Sequence, residues 1–222
     1  MIDAILSLIA PHYCCGCGLS GAVLCENCKY DIISEPYDFC VACSRSIARA
    51  NGLCGRCKVP YQQGWCVADR RDALERLINE YKFQNNKAAY IVMASLLHER
   101  LPELPQNTVL VPVPTIANHI RQRGYDHVLL PVQQLAKTRS LQLSTVLQRA
   151  TSTRQRGATA TERRRQAKEA FFCTESLRTD VPYLVIDDVV TTGATLRYAA
   201  EVLKQAGAQT IWVATVSRQP LD

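Results

Sequence analysis

The sequence has no apolar run approaching the ~20 residues that a membrane-spanning helix needs, so insertion into a membrane is excluded for the 222-residue chain. It also lacks the polar bias of a disordered chain, with 47% hydrophobic and 21% charged residues. The opening MIDAILSLIA is apolar but short, has no basic residue, and meets no small-residue cleavage site before the cysteines begin. No secretory signal is therefore expected, and a short amphipathic helix packed on the body of the protein is. Aromatic residues are missing from the basic segment 139–168, which contains no Phe, Tyr or Trp. Single-strand binders interleave positive charge with aromatic stacking, so a self-contained platform for single-stranded DNA is not expected there.

What is present is unevenly placed. Residues 1–66 hold ten of the eleven cysteines, the exception being Cys173, and carry five basic and five acidic side chains. Residues 67–222 carry 21 basic and 15 acidic side chains, so the whole net charge of +6 lies there. This divides the chain into a cysteine-rich part (1–66) and a second part (67–222). Without export the compartment is a reducing cytoplasm, where clustered cysteines read as metal ligands and not as a disulfide framework.

The cysteines fall in four CxxC pairs: Cys14 and Cys17, Cys25 and Cys28, Cys40 and Cys43, Cys54 and Cys57. Each pair can present two thiolates to one tetrahedral ion, and eight thiolates make two all-cysteine sites, for which Zn2+ is the suited metal. Sequential and interleaved pairing both satisfy the spacing. Closed four-thiolate sites have no open coordination position, so their role is to fold a segment too small to support its own core. Cys15, Cys66 and Cys173 are left over, and His12 is a marginal ligand.

Beyond residue 66, DRRDALERLINEYKF and KAAYIVMASLLHERL repeat apolar residues at helical spacing. TVLVPVP (108–114) and YLVIDDVV (183–190) read as buried strands, YDHVLLPVQQLAKTR and ATLRYAAEVLKQAG as helices, and QTIWVATVS as a further strand. Strand, helix and strand with so short a crossover imply an α/β domain with a parallel sheet. In VIDDVVTTGATL, an apolar strand delivers Asp187 and Asp188, and the turn Thr191-Thr192-Gly193-Ala194-Thr195 leads into a helix. Ligands of parallel sheets bind outside the carboxyl ends of strands, and helix N-termini hold phosphate. The turn is a phosphate cup beside carboxylates that suit ribose hydroxyls or a hydrated Mg2+.

This segment resembles the PRPP-binding motif of type I phosphoribosyltransferases. VPVPTIANHIRQRGYDHV, QRGATATERRRQAKEAF and the CxxC pairs extend the likeness, so that the chain resembles the ComF family over nearly its whole length, with Asp126 and Gln166 where that family often has Asn. The resemblance implies a phosphoribosyltransferase-like domain behind a double zinc ribbon. By it, Asp187 and Asp188 would be the catalytic acids at the ribose, and residues 191–195 would hold the 5′-phosphate. Pro114, Thr115, Arg121, Arg123 and Lys82 would meet pyrophosphate. Arg164 and Arg165 sit in a segment (149–168) with seven basic residues against Glu162; they fit either a loop over the diphosphate or a solvated helix face. PRPP or a related phosphoribosyl ligand with Mg2+ is the implied small-molecule partner, and uptake or processing of single-stranded DNA in natural transformation the implied role. An active transferase with an unnamed acceptor, and a non-enzymatic adaptor recruiting a helicase or other DNA machinery through its ribbons, stand beside that role, and a protein of the DNA-uptake machinery is a further implied partner.

Overall fold

The computed structural model describes residues 12–47, 51–150 and 171–220. The helix expected in residues 1–10 lies outside these residues. The chain runs through α1 (Glu26–Ser34), β1 (Gln63–Asp69), α2 (Asp72–Phe83), α3 (Ala89–Arg100), β2 (Val109–Pro112), α4 (Ala117–Arg123) and α5 (Leu129–Arg139). It continues through β3 (Gln142–Leu143), β4 (Leu147–Arg149), β5 (Phe171–Cys173), β6 (Pro182–Val190), α6 (Ala194–Gln205) and β7 (Thr210–Arg218). Among the described residues no helix is long and apolar enough to cross a membrane.

Five strands form one sheet in the order β1-β7-β6-β2-β3, and every pairing in it is parallel. Its central strands are apolar on both sides because both faces are covered. Along β6, Leu184 and Ile186 face one core and Tyr183 and Val185 the other. The first core takes Leu74, Leu77 and Ile78 of α2, Met93 and Leu97 of α3, and Val132 and Leu135 of α5. The second takes Leu196, Ala199 and Leu203 of α6. Pro131 is the third residue of α5, within the first turn, where no intrahelical donor is needed. Pro112 ends β2 beyond its pairing with β3, where a missing amide breaks no ladder.

The cysteine-rich part does not stand apart from the sheet. Cys14, Val23 and Leu24 pack in the first core, whereas Cys40, Val41 and Leu53 pack in the second, so the two cysteine segments cover opposite faces. Strand β1 crosses the compositional boundary at residue 66 and forms the sheet edge against β7. It buries Cys66, one of the left-over thiols, and burial pushes that thiol up to about 12. Gly64 marks the close approach: a Cβ there would sit 3.0 Å from Val213 and 3.2 Å from Val41.

The two cysteine segments open with the same knuckle. Tyr13 bridges Ser20 and Phe39 bridges Ser46, and the Cys14 and Cys40 amides each donate at 2.8 Å, to the Leu19 and Arg45 carbonyls. An arginine holds each knuckle. Arg76 of α2 donates to the Cys15 and Gly16 carbonyls, and Arg218 of β7 donates to the Val41 carbonyl and the Ser44 hydroxyl.

Candidate functional site

The eight CxxC sulfurs form two groups. Those of Cys14, Cys17, Cys25 and Cys28 lie within 4.8 Å of one another, as do those of Cys40, Cys43, Cys54 and Cys57. The pairing is therefore sequential, and His12, exposed, joins neither group. Sulfur separations of 3.8 Å (Cys17 to Cys25), 3.7 Å (Cys43 to Cys54) and 3.6 Å (Cys54 to Cys57) match the edge, about 3.8 Å, of a tetrahedron with metal–sulfur bonds of about 2.3 Å. Burial raises the Cys14 thiol, but the amides of Cys25, Cys17 and Gly16 outweigh it and bring the thiol down to about 6. The donor set fits a structural metal ion.

At the carboxyl edge of the sheet, the strand order reverses between β2 and β6, the position at which open α/β sheets bind ligands. A cavity of about 330 Å³ lies there, at the small end of the range for ligand sites. Lys82, Pro114, Thr115, Asp187, Asp188, Thr191 and Thr195 line it, so the structure brings together half of the residues named from sequence for this site.

Asp188 is held from two sides. Its Oδ2 lies 2.7 Å from Lys82 Nζ and 3.2 Å from His127 Nε2. Burial pushes its carboxyl up, but Lys82 and His127 outweigh burial and keep it below the ordinary value. Arg123 Nη1 lies 2.7 Å from His127 Nδ1, and since arginine only donates, Nδ1 accepts and the ring proton sits on Nε2, the nitrogen that faces Asp188. Burial first, with Lys82 and Arg123 adding to it, lowers His127 to about 4, so the ring is neutral at pH 7. Among the described residues, Asp187 is hydrogen-bonded by the Asp188 amide alone, which donates to its Oδ1 at 2.9 Å. Burial and the neighbouring Asp188 charge push its carboxyl up to about 7. One acid is thus fixed and charged, and the other is a buried carboxyl that gains from a hydroxyl donor or a cation.

The threonine turn follows directly. Gly193 is the N-cap of α6 at φ +75, and it supplies no side chain to cap the first-turn amides, which have no intrahelical acceptors. A Cβ at Gly193 would lie 3.3 Å from the Ala42 carbonyl oxygen, so the turn rests on the second cysteine knuckle. Thr191 and Thr195 line the cavity, while Thr192 and Ala194 are exposed and do not.

Other residues fall differently from expectation. Lys82, expected at pyrophosphate, is committed to Asp188. Arg123 stands behind His127 and over the Phe83 ring (5.7 Å), and Arg121 is exposed outside the cavity lining. Arg164, Arg165 and Gln166 lie outside the described residues. Arg70, His119, His127 and Arg149 line the cavity and were not singled out from sequence. Asp126 caps α5: its Oδ1 accepts from the Val128 and Leu129 amides, each at 3.0 Å, and from the Thr115 hydroxyl at 2.7 Å. All three bonds need only an acceptor. Asp126→Ala is therefore expected to cost ~1 kcal/mol in urea unfolding, and Asp126→Asn much less; equal losses would show that the charge, and not the cap, matters.

A parallel sheet whose carboxyl edge joins an acidic pair to a threonine-glycine turn defines a type I phosphoribosyltransferase fold. The family model for the phosphoribosyl transferase domain matches residues 83–221. The chain is 31% identical over 212 residues to Competence protein F of Haemophilus influenzae, covering 88% of this chain and 90% of that one. It is 28% identical over 225 residues to DNA utilization protein YhgH of Salmonella typhi (86% of this chain, 94% of that one). Competence protein ComFC of Streptococcus pneumoniae is 23% identical over 196 residues (85% and 84%). The chain belongs to the phosphoribosyltransferase family and, within it, to the ComF proteins.

Proposed function

We propose that this chain serves the uptake or use of DNA and does so with a PRPP-binding site. The printed names of its relatives, competence and DNA utilization proteins, support the first part. The observation that carries the second is a single cavity joining Asp187 and Asp188 to Thr191 and Thr195. The 5′-phosphate would sit on the first-turn amides of α6 and the hydroxyls of Thr191 and Thr195. Asp187 would accept from the ribose hydroxyls, while Lys82 and His127 hold Asp188 charged beside it. The acidic pair also fits the water shell of Mg2+, which when bound would offset diphosphate charge. Arg70 and Arg149 would add positive charge where the diphosphate departs, while the two carboxylates face the charge that develops on the sugar ring. Two structural Zn2+ ions, one per cysteine group, would hold residues 14–57 in place.

The experiment is to incubate the protein with PRPP, Mg2+ and a panel of nucleobases and single-stranded DNA, and to follow pyrophosphate release beside calorimetric binding. Binding with release supports a transferase, and binding without release supports a PRPP-responsive DNA-handling protein. Absence of PRPP binding overturns the site. Direct DNA binding, where found, is expected to weaken steeply with salt.

A further inference from the structure

The two knuckles share their backbone geometry and differ in what their arginines reach. Among the described residues, Arg76 donates to two backbone carbonyls of the first knuckle and to nothing else. Arg218 is 1% exposed, and its guanidinium spans two structures. Nη2 donates to the Val41 carbonyl, while Nη1 donates to the Ser44 hydroxyl at 2.5 Å and to the Thr191 carbonyl at 3.0 Å. We propose that Arg218 is a positioning residue that latches the phosphate turn to the second metal knuckle, so that anion binding at the turn and metal retention at Cys40, Cys43, Cys54 and Cys57 strengthen each other. This rests on the phosphate reading of residues 191–195.

Three observations support the latch beyond the hydrogen bonds. Ser44 adopts φ +60 at the position where the first knuckle has Gly18 at φ +77. A side chain is disfavoured in that conformation, and a Cβ at Gly18 would meet nothing, so glycine suffices where no latch is made. The serine keeps its strained backbone at the one knuckle where its hydroxyl is used. Secondly, no carboxylate pairs with Arg218 among the described residues, although buried arginine is ordinarily paired. A divalent ion on four thiolates leaves net negative charge, and Arg218 sits on the knuckle that carries two of those thiolates. Thirdly, the turn packs on the knuckle so closely that a Cβ at Gly193 would lie 3.3 Å from the Ala42 carbonyl oxygen. A coupling between the two sites through this contact is reciprocal: what anion binding does for metal retention, metal retention does for anion binding.

The test uses the zinc-loaded full chain, with ribose 5-phosphate as the probe. Its affinity is measured by calorimetry, and zinc release to a chromogenic chelator is timed with and without it, for the wild type, Arg218→Lys and Ser44→Gly. In the wild type, ribose 5-phosphate is expected to slow release of one zinc equivalent roughly tenfold and to leave the other unchanged. Both variants are expected to lose that protection and to bind the probe roughly tenfold more weakly. Ser44→Gly is the decisive variant: it relieves the backbone, so a merely structural serine predicts no loss of affinity, and the variant is informative even where Arg218→Lys folds poorly. Unchanged affinity and unchanged protection in Ser44→Gly would overturn the latch. No binding of the probe by the wild type would instead overturn the phosphate reading, and the latch with it, which is a separate signature.

Discussion

Asp187→Asn is expected to leave the fold as stable as the wild type, or more stable, at pH 8, while abolishing PRPP binding. Its carboxyl is pushed up to about 7 by burial and by Asp188, so the charge it carries at pH 8 opposes folding. Asparagine keeps the shape and removes that charge. Asp188→Asn is expected to do the opposite to stability. It breaks a buried pair with Lys82 at 2.7 Å and removes the charge that His127 Nε2 faces at 3.2 Å, leaving the ammonium without its carboxylate. Removal of one partner of such a pair costs about 3–5 kcal/mol. Both variants should lose PRPP binding, but urea unfolding should move in opposite directions. A comparable loss of stability in both would mean that Asp187 is an ordinary structural residue and that the acidic pair is not divided between holding the fold and holding a ligand.

The same division has a pH signature. The folded-state value of Asp187, about 7, lies above the unfolded value of about 3.9, so between these limits the folded chain binds more protons than the unfolded one. Its contribution to stability is fully present below about pH 4 and is lost as pH rises through about 7. Asp188 is held below its ordinary value, so its contribution is present above the unfolded value and is lost on acidification through the folded one. Unfolding free energies measured from pH 5 to 8 should therefore fall more in the wild type than in Asp187→Asn, and parallel curves would remove Asp187 as the source.

The sequence carries local signals clearly and long-range ones poorly, and the site shows where the line falls. β6 and the turn after it could be read because apolar run, acids, threonines and glycine are contiguous. The helix α2 could be read because Leu74, Leu77, Ile78 and Tyr81 recur at helical spacing and all are buried. β1 was missed because Gly64, Trp65 and Cys66 look like the tail of the cysteine region; only pairing with β7 makes them a strand. His127 carries no local signal: its partner, Asp188, comes from another strand, and the proton position is set by Arg123. Lys82 was seen, but its acceptor was not. The cysteine pairs were legible as metal ligands from spacing alone, whereas their sequential pairing needed the sulfur geometry. Arg218 sits at the end of an ordinary apolar strand, and nothing in its neighbourhood along the chain distinguishes it.

Stripping the metal is expected to unfold far more than residues 12–57. Helix α1 has no fully buried residue, and the apolar side chains it half-buries, Ile32 and Ile33, pack on the first core of the sheet and not on a core of the cysteine segment. What the cysteine segments do bury, they bury against the sheet: Cys40 and Val41, both 0% exposed, pack with Val185, Val213 and Leu196, and Cys14 packs with Leu74 and Leu77. Losing the ions would uncover part of each face. A structural zinc site in a small domain contributes about 10–16 kcal/mol in apparent terms, against a total stability of about 5–15 kcal/mol for an ordinary domain. Chelation of the folded protein should thus release two zinc equivalents and abolish the cooperative thermal transition of the whole chain. Trp65 on β1 and Trp212 on β7, edge to face at 6.0 Å and packed on the first core, report the sheet directly through their fluorescence. Release of both ions with the tryptophan signal and the thermal transition unchanged would mean that the ribbons are appended to a self-sufficient sheet. Their place in both cores, one on each face, argues that the sheet needs them.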